Sequence, residues 1–134
     1  MTVKELSQLY WLNKEIEMNQ KRLEELRAKK DSLSSPDFSG VSRGGDGTSR
    51  VEWLAVEISD LEKLIQKKQQ QCILEHKRLE RYIAKIPDSL TRQIFTLRFV
   101  NGLKWFQVAM TIGGNTEQSV KMACYRYIQD HPGL

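Results

Sequence analysis

Apolar residues in the first two-thirds of the chain recur at alternating steps of three and four, which predicts two long helices. The first seam comprises Leu9, Leu12, Ile16, Asn19, Leu23, Leu26, Lys30 and Leu33. The second comprises Val51, Leu54, Ile58, Leu61, Ile65, Lys68, Cys72, Glu75, Leu79 and Tyr82. Both seams are mainly apolar with polar interruptions, a pattern typical of coiled-coil-like packing.

The segment between the seams predicts a flexible loop over residues 34–50, because it holds five Ser and four Gly. Charge then predicts an antiparallel hairpin over residues 1–86. Residues 21–30 carry five basic and two acidic groups, whereas 52–62 carry four acidic groups and no basic one. Two such helices leave apolar surface uncovered, so we expect a homodimer through the hairpins.

Pro87 predicts the end of the second long helix and the only domain boundary, with Asp88 or Ser89 available to cap the next helix. We expect Leu90, Ile94 and Leu97 to form the inner face of that helix, which Asn101-Gly102 ends. Phe95 and Phe99 lie off this stripe, and we expect them to pack against the hairpin.

The last part of the chain predicts two short helices around a glycine turn. One apolar stripe comprises Trp105, Val108, Ala109 and Ile112, and the other comprises Val120, Ala123, Cys124 and Tyr127. Gly113-Gly114 allows the turn, and Asn115 or Thr116 can cap the second helix. This is the layout of a helix-turn-helix DNA-binding module. The predicted fold is therefore all-α, a long antiparallel hairpin followed by a three-helix module at 87–134.

Residues 87–128 also resemble region four of bacterial sigma factors. The shared pattern is R-x-I-x-x-L-R-F-x-x-G-x-x-W-x-x-V-A, followed by the turn and T-x-x-S-V-K-x-x-x-x-R. With the helical hairpin upstream, the chain looks closer still to phage and prophage regulators of the ArpU type. The resemblance implies a bacterial host and either promoter binding or a sigma-like contact with RNA polymerase. Gly113 to Val120 spans seven residues where the family usually has six, which predicts a longer turn.

Residues facing away from the second apolar stripe are the candidates for contact with double-stranded DNA. Gln118 pairs well with adenine, Glu117 with a cytosine amine, and Lys121 or Arg126 with phosphate. The full candidate set is Lys104, Asn115, Thr116, Glu117, Gln118, Ser119, Lys121, Met122, Tyr125 and Arg126. The alternative without a functional role is a solvated helix face with ordinary capping residues. An acidic residue in the first turn of a helix, such as Glu117, often only interacts favourably with the helix dipole.

Composition restricts the remaining classes of function. The net charge is +4 and the pI about 9.1, compatible with a nucleic-acid partner. We expect no membrane span, a cytoplasmic chain and reduced cysteines. Cys72 and His76 share a helical face, but no second pair completes a zinc site, so we expect no metal and no cofactor. Nothing resembles a catalytic set, and we do not expect an enzyme.

Two other functions remain open. Small terminase subunits, which bind packaging sites on DNA as rings, also combine a helix-turn-helix with helical oligomerisation. A protein-interaction adaptor would instead bind RNA polymerase or an activator without touching DNA. The weak positive charge of residues 87–134, five basic and three acidic groups, keeps the adaptor open.

Overall fold

The computed structural model describes residues 1–33 and 45–132, with side chains of 45–48 excepted, and within these ranges it contains helices and no strand. The α-helices are α1 Val3–Leu6, α2 Gln8–Leu33, α3 Gly45–Ala84, α4 Ser89–Phe95, α5 Trp105–Ile112 and α6 Glu117–Asp130; a π-helical turn, Thr96–Val100, follows α4. The chain forms two compact units. Unit 1 comprises residues 1–13 and 71–134, and unit 2 comprises residues 14–70.

Unit 2 consists of the central parts of α2 and α3, which pack along the predicted seams. Its buried apolar residues are Ile16, Leu23, Leu26, Leu54, Ile58, Leu61 and Ile65. Ion pairs join Arg27 to Glu62 at 3.2 Å and Glu15 to Lys68 at 3.2 Å. An earlier residue of α2 thus meets a later residue of α3, so the two segments run in opposite directions. At the end of the first seam, Leu33 is exposed.

The beginning of α3 departs from the predicted loop. The helix starts at Gly45, so residues 45–50 are helical, and the prediction of a loop as far as residue 50 was wrong. The glycines oppose this by about 1 kcal/mol each relative to alanine. Extending an established helix adds a hydrogen bond per residue without a new nucleation cost, which favours the extra turn. The rest of the predicted loop, residues 34–44, lies outside the described residues.

The amino terminus contributes an element that the heptad pattern did not reveal. Thr2 caps α1 through a hydrogen bond from the Glu5 N–H to its hydroxyl. The short helix places Leu6 in the core of unit 1, fully buried. Leu6 precedes the first seam by three residues, but sequence periodicity gave no reason to separate α1 from α2.

The link between α3 and α4 is fixed by hydrogen bonds. Two tight turn bonds, from Lys85 N–H to Tyr82 O and from Ile86 N–H to Ile83 O, close the end of α3 before Pro87. Nη1 of Arg92 then donates to the carbonyls of Ile86 and Pro87, at 2.7 and 3.0 Å. Arg92 thus satisfies two backbone carbonyls of the link, which lies outside both helices.

Asp88 is the N-cap of α4, as predicted, and accepts hydrogen bonds from both the N–H and the hydroxyl of Thr91. These donors lower the pKa of the Asp88 carboxyl. Leu90 was predicted to lie on the inner face of α4, and this prediction was wrong, because Leu90 is exposed. Thr91 is buried instead. The cap bond satisfies the Thr91 hydroxyl, which removes the main cost of burying it. Ile94 is buried as predicted, and Leu97 is partly buried.

The core of unit 1 combines residues from both ends of the chain. Phe95 is fully buried, and its ring lies 6.3 Å from that of Tyr82, 5.4 Å from that of Phe99 and 5.5 Å from that of Tyr127. The core residues are Leu6, Leu9, Leu79, Ile83, Ile86, Ile94, Phe95, Phe99, Trp105, Val108, Ala109, Val120 and Cys124. Residues 87–134 therefore share one core with the last turns of α3 and with the start of the chain.

Candidate nucleic-acid interface

The connection between α5 and α6 is a short turn that begins with two glycines. Gly113 has φ 75° and ψ 158°, and Gly114 has φ 65°. Side chains other than glycine rarely adopt such backbone conformations. A Cβ added at either position would meet no heavy atom within 4 Å. The backbone conformation, and not lack of space, is therefore what favours glycine here.

The start of α6 is organised by three of the predicted contact residues. The Ser119 N–H donates to Oγ1 of Thr116, and the Thr116 N–H donates to Oγ of Ser119, both at 3.0 Å. The Asn115 side chain donates to the carbonyl of Gly113 at 3.1 Å. This reciprocal cap satisfies N–H groups at the helix start. Asn115, Thr116 and Ser119 thus have defined structural roles at the turn.

The inner side of α6 is anchored in the core of unit 1. Val120 and Cys124 are fully buried, one turn apart, and Ala123 and Tyr127 are partly buried beside them. Burial raises the pKa of the Cys124 thiol to about 12. The buried side of α6 matches the predicted apolar stripe, so the rotation of the helix about its axis is fixed.

The outer side of α6 carries the remaining candidates on that helix. Glu117, Gln118 and Arg126 are exposed. Met122 and Tyr125 are 46% and 41% exposed, whereas Lys121 is half-buried. Because Val120 and Cys124 hold the inner side, Gln118, Met122 and Tyr125 are centred on the outer side, and Lys121 and Arg126 lie at its two edges.

A cation that was not among the predicted candidates lies beside this surface. The Arg98 guanidinium carbon is 4.6 Å from the centroid of the Trp105 ring, and the ring of Tyr125 meets Trp105 edge-on at 5.9 Å. Nη1 of Arg98 also donates to the carbonyl of Leu103 at 2.9 Å. Arg98 belongs to the L-R-F run of the sequence pattern, but only the packing of Trp105 reveals its proximity to α6. Trp105 itself is buried, which agrees with a core role.

Lys104 stands at a different helix start, that of α5. It is exposed, and its backbone N–H donates to the Gln107 side chain at 2.9 Å. A small cleft beside it is lined by Tyr10, Trp11, Arg98 and Gly102, among others. Lys104 therefore shares its surroundings with Arg98 and the start of α2, and it does not stand on α6 with the other candidates.

The electrostatics of the outer surface are balanced. The charged residues of α6 are Glu117, Lys121, Arg126 and Asp130, two acidic and two basic, so the helix has no net charge. Arg98 and Lys104 add positive charge from the preceding segments. Such an arrangement suits local hydrogen bonding and a few phosphate contacts better than long-range attraction of a polyanion.

No group of three or more His, Cys, Asp or Glu side chains is placed to hold a metal ion in the part of the chain that the structure describes. None of the described helices combines the length and the apolar character needed to cross a bilayer.

No protein-family model, curated protein or solved structure matches this chain.

Proposed function

We propose that the chain is a sequence-specific DNA-binding transcriptional regulator of phage or prophage origin. In this proposal α4, α5 and α6 act as a helix-turn-helix module, and residues 116–128 enter the major groove as the recognition helix. Bacterial RNA polymerase is a further partner that the resemblance to sigma region four suggests.

The observation that carries the proposal is the two-sided character of α6. Its inner side is fixed by Val120 and Cys124, and its start is fixed by the cap of Thr116. Its outer side presents an amide, two cations and a tyrosine that have no structural role in capping. A helix held rigidly with a polar and aromatic outer surface is what direct reading of base edges requires.

Salt-dependent binding to DNA tests this proposal. We expect the intact protein to bind a random duplex in fluorescence anisotropy, with an affinity that falls as salt rises. The double variant Lys121→Ala/Arg126→Ala removes two of the proposed phosphate contacts. It should make the negative slope of log K against log salt shallower by about 1.8.

A matched control removes the same charge from unit 2. Lys63 and Lys67 are exposed on α3, and Lys63→Ala/Lys67→Ala changes the net charge equally. This control should bind DNA much like the wild-type protein. Equal losses in both double variants would show a general charge effect, and absence of binding at low salt would contradict DNA recognition by the protein on its own.

The proposal includes pairing of two chains through the hairpin formed by α2 and α3. Unit 2 leaves large apolar side chains exposed, among them Met18 at 72% and Trp53 at 60%. A second chain that covers them would place two helix-turn-helix modules in one dimer, as two-fold DNA-binding proteins require.

One observation favours a second candidate function, that of an adaptor that binds RNA polymerase without touching DNA. Phe106 and Met110 are one turn apart on α5 and are 48% and 78% exposed. Exposed apolar pairs of this kind are typical of protein-binding surfaces. Phe106→Ala/Met110→Ala should abolish binding to polymerase in the adaptor and leave DNA affinity unchanged in the DNA-binding regulator.

A further inference from the structure

Unit 2 has a groove on one side of its helix pair whose polar groups are incompletely satisfied. We name it the Asn19 groove; it is lined by Asn19, Arg22 and Leu26 of α2 and by Glu57, Asp60 and Leu64 of α3. Nδ2 of Asn19 is buried and has no hydrogen-bond partner. Buried amides normally have a hydrogen-bond partner, either a protein group or an ordered water.

The charges of the groove are also unpaired. Arg22, Glu57 and Asp60 form no ion pair with any described residue. The basic group stands on α2 and the acidic groups stand on α3. A surface divided in this way is complementary to itself, because a two-fold rotation brings the basic helix of one copy against the acidic helix of the other.

Apolar side chains flank these polar groups. Met18 lies one turn before Arg22, Trp53 lies one turn before Glu57, and Leu64 lines the groove itself at 41% exposure. The other side of the helix pair differs, because its groove is lined mainly by polar residues such as Gln20, Gln66 and Lys63, and there Arg27 is paired with Glu62. Among the grooves of the described part of unit 2, the Asn19 groove differs in having an amide without a partner beside its exposed apolar groups and its charges.

We propose that the Asn19 groove receives a second copy of this chain in a two-fold pair. Arg22 of each copy faces Glu57 or Asp60 of the other, and Leu64 and Met18 are covered. A buried Asn at a seam position is a known means of fixing register and the number of chains in helical assemblies. The inference rests on the proposed pairing through the hairpin, and it specifies the face.

Charge reversal tests the face without any DNA. The molar mass of the full-length protein is measured by light scattering or sedimentation over an about hundredfold range of concentration. We expect a dimer for the wild-type chain and an at least about tenfold weaker dimer for Arg22→Glu, because this variant places like charges together. The triple variant Arg22→Glu/Glu57→Arg/Asp60→Arg restores opposite charges and should restore the dimer.

Two further variants separate the groove from its surroundings. Lys63→Glu makes the same charge change on the polar side and should leave the dimer unchanged. Leu64→Gln removes an apolar contact without adding charge and should weaken the dimer while far-UV circular dichroism keeps its helical signal. Because the readout is mass in the absence of DNA, it is independent of the variants at Lys121 and Arg126.

The possible outcomes are distinct. A wild-type monomer at every concentration overturns both the groove and the proposed pairing. A dimer that tolerates Arg22→Glu and Leu64→Gln overturns the groove alone and leaves pairing through another surface. A ring or another larger assembly overturns the two-fold pair and favours the packaging alternative. None of these results decides DNA recognition, which the anisotropy experiment measures.

Discussion

The two units of this protein bury their apolar residues to different depths. In unit 1 the largest side chains with essentially no exposure include Phe95, Leu6, Ile94 and Val120. In unit 2 no seam residue reaches that level, and the buried ones keep between 4% and 9% exposure. The difference follows from geometry, because several helices can enclose a residue on all sides, whereas two helices enclose a single row of residues from one side only.

This comparison indicates how each unit is stabilised. Unit 1 contains a closed core and can hold α6 in a fixed rotation by itself. Along one groove, unit 2 leaves exposed apolar side chains and charges that form no ion pair with any described residue, beside a buried amide without a partner. The proposed DNA recognition and the proposed pairing would therefore depend on two different kinds of packing, which mutations can separate.

The largest expected effect concerns the isolated fragment 87–134. Its core partners Leu6, Leu9, Leu79, Ile83 and Ile86 would be absent. We expect the fragment to lack cooperative unfolding and the near-UV circular dichroism of a packed core, because so many buried contacts are lost. A fragment with a sharp thermal transition would show that residues 87–134 form an independent domain, as the boundary at Pro87 predicts.

A pair of truncated side chains sharpens the comparison between the units. Phe95→Ala should lower the free energy of unfolding by about 3–5 kcal/mol, since it removes a fully buried ring from unit 1. Met18→Ala in unit 2 should change it by only about 0.5 kcal/mol, because this side chain is 72% exposed. Urea denaturation at low protein concentration measures both variants without a contribution from pairing. Similar losses would contradict the difference in packing.

The turn before α6 should show an intermediate effect. Gly113→Ala places a Cβ on a backbone with φ 75° and ψ 158° and should destabilise the protein by about 1–3 kcal/mol. Thermal unfolding monitored by circular dichroism measures this loss. Gln129→Ala on the exposed end of α6 serves as the control, and it should leave stability nearly unchanged.

The smallest effect concerns the two thiols. At pH 8 we expect a thiol reagent to modify Cys72, which is half-buried, well before Cys124, whose pKa is raised to about 12 by burial.

The folded pKa of Cys124 lies above its unfolded value of about 8.5. Unfolded chains therefore lose a proton first as pH rises, and the contribution of this thiol to stability declines above that pH. Cys124→Ala should reduce this decline, to which Cys72 also contributes because burial raises the pKa of its thiol. Equal labelling rates of the two thiols would contradict the packing of α6.

The sequence by itself determined most of the helical organisation, because periodic apolar residues are a local signal. Both seams, the stop before Pro87, the cap at Asp88 and the stripe of Val120 and Cys124 follow from spacing and side-chain type. The DNA-binding role, the family resemblance and the pairing stay predictions that the proposed experiments test.

Tertiary structure alone decided the features that depend on residues distant in sequence. Leu6 enters the core because helices from the far end of the chain enclose it, and Thr91 replaces Leu90 on the inner face because Asp88 satisfies its hydroxyl. Arg98 lies beside α6 because it packs over the buried ring of Trp105, which in turn contacts Tyr125. The Asn19 groove exists only where α2 and α3 lie side by side. Local spacing fixes which side of a helix is apolar, but the environment of a side chain depends on every helix that packs against it.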